Sequence, residues 1–120
     1  MAITNEMVRH AYTVARQVYE QELTVTAGRE LLANNYHWDF GSAGDYIHNF
    51  GHLLRGEQYT RTMNRIATQY FLEQILIDYG QEALRAALNA VEAHIEYYAA
   101  YRNLNSIREI HDRFMGNIDR

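Results

Sequence analysis

SAGDYIHNFGHLLRG, residues 42–56, decides how this chain is built. Ala43, Tyr46, Ile47, Phe50, Leu53 and Leu54 recur at spacings of three and four, which place them on one face of an α-helix; a strand would alternate at every second residue. The pattern predicts a helix from about Ser42 to Arg55, with Gly56 as its stop. Asp45, His48, Asn49, His52 and Arg55 are left on the outer face. The preceding NNYHWDF, residues 34–40, reads as a loop of aromatic and polar side chains. Residues 34–56 hold the only tryptophan, three of the six histidines and four of the seven glycines.

Working outward, the same periodicity continues. A first helix is predicted after Thr4 as N-cap, running to about Glu22 with Met7, Ala11, Val14 and Val18 on its apolar face. A shorter second helix begins after Thr24 or Thr26, turns Leu31 and Leu32 inward and stops at Asn34–Asn35, residues that tolerate the left-handed conformation of a helix end. Gly28 inside it implies close approach by another helix. On the other side, TRTMNRIATQYFLEQILIDY, residues 60–79, is apolar around much of its circumference and reads as a central, most buried helix starting at Thr60 or Thr62 and stopped by Gly80. A fifth helix, about Gln81 to Tyr101, carries the seam Leu84, Leu88, Val91, Ile95 and Tyr98, which is either core or the contact of a homodimer. A last helix after Asn103 or Asn105 uses Ile107, Ile110 and Phe114 and ends at Gly116. Proline is absent, and no run alternates long enough for a buried strand. The expected fold class is all-α: a compact bundle of about six helices containing a helix-turn-helix-like pair.

With 120 residues the chain is expected to form a single helical domain, able to bury a core without metal or disulfide staples. There is no cysteine, so disulfides and thiolate metal sites are excluded. The start, MAITNEMVRHAY, lacks the apolar core of a signal peptide, and no stretch nears the roughly 20 apolar residues of a spanning helix. No membrane association is expected, and the cytoplasm is the default location. The net charge of -4 argues against a surface that grips nucleic acid everywhere, yet the acidic excess lies mostly in residues 71–120, while residues 36–70 are balanced and histidine-rich. All eleven basic residues are arginine, the side chain suited to bidentate contacts with phosphates and guanine edges.

Two short helices joined by a loop, the second with a polar outer face, match the helix-turn-helix in which the second helix enters the major groove. The pair is Thr26 to Asn34 and Ser42 to Arg55. Ser42, His48, Asn49, His52 and Arg55 are then the reading set, since asparagine pairs with adenine and arginine with guanine. Asp45 would repel phosphate and is assigned instead to a cap through Ser42-x-x-Asp45. After this helix, Tyr59, Arg61, Asn64 and Arg65 are the kinds of side chain that hold phosphates at a helix start and fix position without reading sequence. In YHWDF, aromatic rings either stack on an exposed base or plug the space between helices. Trp38 and Phe40 are assigned as plugs, Tyr36 and His37 as contacts.

Other chemistry fits poorly. His48 and His52 lie one helical turn apart, but a metal site needs three or four ligands and H-E-x-x-H is absent, so no metal is expected. Glu92 and Glu96 share a helix face without His94 and read as solvated. There is no G-x-S-x-G elbow and no phosphate-cradling glycine loop. No catalytic residue, no enzymatic activity and no cofactor are expected.

Two segments resemble a known family. SAGDYIHNFGHLLRGEQYTRTMNRIATQYFLEQILIDYG and LNAVEAHIEYYAAYRNLNSIREIHDRF are similar to the N-terminal helical domain found ahead of HNH-type nuclease domains in bacterial restriction-like endonucleases. The similarity extends over nearly the whole chain. The shared strings are Ser42 to Phe50, Tyr59 to Asn64 and His94 to Tyr98. The resemblance implies a module that locates double-stranded DNA, modified DNA included, for a nuclease partner of a restriction or defence system. The nuclease's own His-Asn-His arrangement has no counterpart in these residues. The rival expectation is a small acidic protein-interaction module that inhibits a partner enzyme or dimerises through Leu84, Leu88, Val91, Ile95 and Tyr98.

Overall fold

Threonine side chains start the first two helices. In the computed structural model, which describes residues 2–118, Thr4 Oγ1 accepts from the Met7 N–H at 3.1 Å and Thr24 Oγ1 from the Ala27 N–H at 3.0 Å. Each satisfies a first-turn donor that the helix itself cannot. The helices they open are α1 (Asn5–Tyr19) and α2 (Val25–Tyr36). Four more follow: α3 (Phe40–Arg55), α4 (Arg65–Tyr79), α5 (Gln81–Tyr98) and α6 (Asn105–Ile118). The fold is all-α, with no strand among the described residues. The chain divides into two compact units, Met1–Gly51 and His52–Arg120, and the boundary falls inside α3.

In the first unit α1 packs along α2, and Gly28 is what lets them approach. A β-carbon there would stand 2.9 Å from Val18 Cγ2, 3.1 Å from Val14 Cγ1 and 3.2 Å from Ile47 Cδ1. Phe50 is fully buried, with the rings of Tyr12 and Tyr19 edge-on to it at 5.3 and 5.7 Å. Trp38 is the expected plug: it is buried, donates its indole N–H to the Met7 carbonyl at 3.1 Å and meets the Tyr46 ring at 4.7 Å. Phe40 is not. It is 44% exposed and lies under the Arg29 guanidinium, 4.1 Å from its ring centre. Helix α2 also runs past Asn34–Asn35 to Tyr36, and His37 takes the left-handed turn at φ 66°. Tyr36, the added residue, stacks its ring on His10 at 3.7 Å.

Helix α3 starts two residues earlier than expected because its cap is Asp39, not Ser42. The Asp39 carboxylate accepts from the Ser42 N–H at 3.0 Å, so Ser42-x-x-Asp45 is not the capping pair. That bond holds the Asp39 carboxyl below its ordinary pKa of 3.8. A depressed carboxyl pKa contributes stability above the unfolded value and loses it as pH falls through the folded one. Asp39→Ala is therefore expected to lower the urea midpoint at pH 7, and the gap from the parent protein to close as pH is taken below 3.8.

In the second unit α4, α5 and α6 pack on one another. The expected central helix is α4, yet α5 is the more deeply enclosed: Leu84, Ala87, Leu88, Ala90, Val91, His94 and Ile95 are all buried. Its alanines let both neighbours come close, whereas α4, apolar on more sides than it has partners, leaves Ile66 49% and Ile77 72% exposed. The seam Leu84, Leu88, Val91 and Ile95 is thus core, and only Tyr98 is half-exposed. A homodimer through that seam has no surface to use. Gly56, at φ 69°, closes α3 where a β-carbon would sit 3.3 Å from the Ala86 carbonyl oxygen.

Candidate nucleic-acid interface

The outer face of α3 is less open than its sequence implies. Asn49 is 3% exposed and belongs to the core side, so it cannot read a base edge. Ser42 is half-buried, with its N–H committed to Asp39. Arg55 Nε donates to Glu57 Oε1 at 2.8 Å, and His52 Nδ1 lies 3.5 Å from the same oxygen. The Arg55 bond pulls the Glu57 carboxyl below its usual pKa. Two of the expected DNA contacts are therefore drawn to an acid just past the end of the helix. His48 and His37 are exposed, and Tyr36 is half-buried against His10.

The stretch after α3 behaves differently. Helix α4 begins only at Arg65, so residues 57–64 form a loop rather than helix. Asn64 is the N-cap, its side-chain oxygen accepting from the Ala67 N–H at 2.7 Å. The loop is fastened from beneath by His94, a residue to which the sequence assigned no role. His94 is 0% exposed. Its Nδ1–H donates to the Tyr59 carbonyl at 2.7 Å, which leaves Nε2 as acceptor for the Thr62 hydroxyl at 2.8 Å. The ring also stacks on Tyr59 at 4.3 Å. Burial pushes the imidazole below its ordinary pKa of 6.5, against the smaller opposite pull of the Tyr59 carbonyl. Tyr59 itself is 2% exposed and holds the loop from inside, so it is not a ligand contact.

What the fastened loop presents is a cleft of about 320 Å³. One wall is Thr62 to Arg65, the other Arg102 to Ile107, so the first turns of α4 and α6 both border it. Arg65 and Arg102 are exposed and form no ion pair among the described residues. No aspartate or glutamate lines the cleft. The N–H groups of a helix's first turn have no partner within the helix and carry the positive end of its dipole. Asn64 already takes the Ala67 N–H of α4, but the dipole ends of both helices remain, and with two unpaired guanidinium groups they make a place where an anion is favoured. A smaller adjoining hollow carries Glu96 and Arg108, but Arg108 is neutralised by a two-pronged pair with Glu92 at 2.6 and 2.8 Å. That pair holds the Glu92 carboxyl low, which corrects its reading as a freely solvated acid.

Of the expected contacts, the structure brings Asn64 and Arg65 together on the cleft and adds Arg102, which no local pattern marked. Among the described residues no three His, Asp or Glu side chains converge to hold a metal ion, and no helix is long and apolar enough to cross a membrane. Compared with protein-family models, with curated proteins and with solved structures, the chain matches none.

Proposed function

We propose that this protein is a non-enzymatic DNA-binding module that holds the phosphodiester backbone in the Arg65–Arg102 cleft. The observation that carries the reading is the cleft itself: two unpaired arginines and two helix starts, with no acid on its lining. Arg16, Arg55, Arg85 and Arg108 are drawn to carboxylates, and of the exposed arginines outside those pairs Arg65 and Arg102 are the two that meet on one cleft. Arg61, on the loop that leads into the cleft, extends the cationic line. With Asn49 buried and Arg55 paired, backbone contacts rather than base-edge contacts dominate, so affinity exceeds sequence discrimination. The resemblance to helical domains ahead of HNH nucleases gives such a module a task, locating DNA, modified or plain, for a nuclease carried elsewhere.

The test is fluorescence anisotropy with a labelled duplex at about 50 and about 200 mM salt, the range over which phosphate contacts weaken steeply. Binding that falls with salt is the expected result. No binding to plain, methylated or hydroxymethylated duplex at low salt overturns the reading. The exposed Ile66 and Ile77, eleven residues apart and so on one face of α4, favour protein docking instead. A partner protein that shifts α4 signals while DNA has no effect would support that second reading.

A further inference from the structure

Beside the cleft, aromatic rings climb from the core to the surface. Tyr59 stacks on His94; the His94 ring lies 5.6 Å from that of Tyr98; Tyr98 lies 5.5 Å from Tyr101, and Tyr97 6.1 Å from Tyr101. Tyr59 and His94 are buried and Tyr98 is half-buried, while Tyr101 is 70% and Tyr97 37% exposed. Large aromatic surface in water that packs nothing further in the chain is unfavourable unless something covers it. These rings are also held rather than loose, since Tyr101 rests on two neighbours and its N–H donates to the Tyr98 carbonyl at 2.8 Å.

Their surroundings identify what would cover them. Tyr101 holds the Tyr97 hydroxyl above its ordinary pKa, with Arg61 a weaker influence in the opposite direction. Arg102, the residue after Tyr101, is a wall of the cleft that also contains Arg65. Fixed cations beside exposed rings fit a ligand that is anionic along one edge and flat and aromatic along the other. A nucleic-acid strand with unpaired bases has both; a duplex has its ring faces hidden in the stack.

We propose that Tyr97 and Tyr101 form a stacking platform for an unpaired base, so that single-stranded nucleic acid is bound more tightly than its backbone alone would allow. The proposal rests on the backbone-binding reading of the cleft and adds the base contact to it. The phosphates flanking the stacked base run toward Arg102 and Arg65, and the base meets the Tyr101 ring. Because every base has a π-face, the platform is tolerant of sequence.

Anisotropy with three probes of equal length separates the contributions: a thymidine oligonucleotide, an abasic strand with the same phosphates, and a duplex. The parent protein is expected to bind the thymidine strand about tenfold more tightly than the abasic one. Tyr101→Ala should erase that difference and leave abasic and duplex binding unchanged, while Tyr101→Phe, which keeps the ring, should retain it. Tyr101 is 70% exposed, so its removal leaves the core intact. Equal affinity of the parent protein for thymidine and abasic strands, or an unchanged preference in Tyr101→Ala, overturns the platform even when duplex binding stands. Failure to bind all three probes overturns the backbone reading as well.

Discussion

Replacing His94 by leucine is expected to destabilise the protein by about 3 kcal/mol at pH 7. Leucine fills much of the space but has no donor for the Tyr59 carbonyl and no acceptor for the Thr62 hydroxyl, both of which His94 satisfies at under 3 Å. A buried polar group left unpaired forfeits its hydration outright, which is why the loss exceeds that of an ordinary exposed hydrogen bond. Against a typical total of about 5–15 kcal/mol the effect is large. Glutamine, which can donate to the carbonyl, should recover part of it. The parent protein should also show a pH component that the leucine variant lacks. In the folded chain burial keeps the imidazole neutral, whereas the unfolded chain takes up a proton below about pH 6.5. The unfolded state then binds more protons, so stability is full above that pH and declines as pH falls beneath it. Urea titrations at a series of pH values measure both effects; a leucine variant as stable as the parent would refute the fastening role.

The second large effect concerns binding. Arg65→Ala with Arg102→Ala should weaken duplex binding by about 3 kcal/mol, on the order of a hundredfold, if each guanidinium donates to a phosphate. Neither side chain has an ion-pair partner among the described residues, so their removal leaves no carboxylate stranded and the fold unharmed. The slope of log affinity against log salt should fall by about 1.8, the counterion release of two phosphates. Arg55→Ala provides the contrast: already bonded to Glu57, it should change affinity little. A double variant that binds like the parent, with the same salt slope, would move the DNA contact away from the cleft.

Most of the fold was legible because helices announce themselves locally. Thr4 and Thr24 are good N-caps in sequence and in structure, and Gly28, Gly56 and Gly80 mark a close approach and two stops. Asn49 was misplaced because its polar side chain argued for solvent, although it lies three residues after Tyr46 and four before Leu53, the spacing of the inner stripe, and packing overrode the polarity. His94, three residues after Val91, was set apart from the solvated glutamates but given no role, because its partners Tyr59 and Thr62 lie more than thirty residues away. The start of α3 was misread because Ser42-x-x-Asp45 imitates a capping box, while the true cap, Asp39, sits among aromatic residues that looked like loop. Arg102 had no sequence signal, since its counterpart on the cleft, Arg65, lies thirty-seven residues away and only the packing of α6 against α4 joins them.

Both walls of the cleft carry guanidinium groups, and the chain has no lysine at all. Its attraction for an anion is therefore a constant across the physiological range, beyond the reach of a proton or of an enzyme that acetylates amines. The loop beneath it, fastened by a neutral histidine, is not constant. Acidification would leave the charge in place while loosening what holds it, so ionic strength governs how firmly the protein grips and pH governs whether the grip keeps its shape.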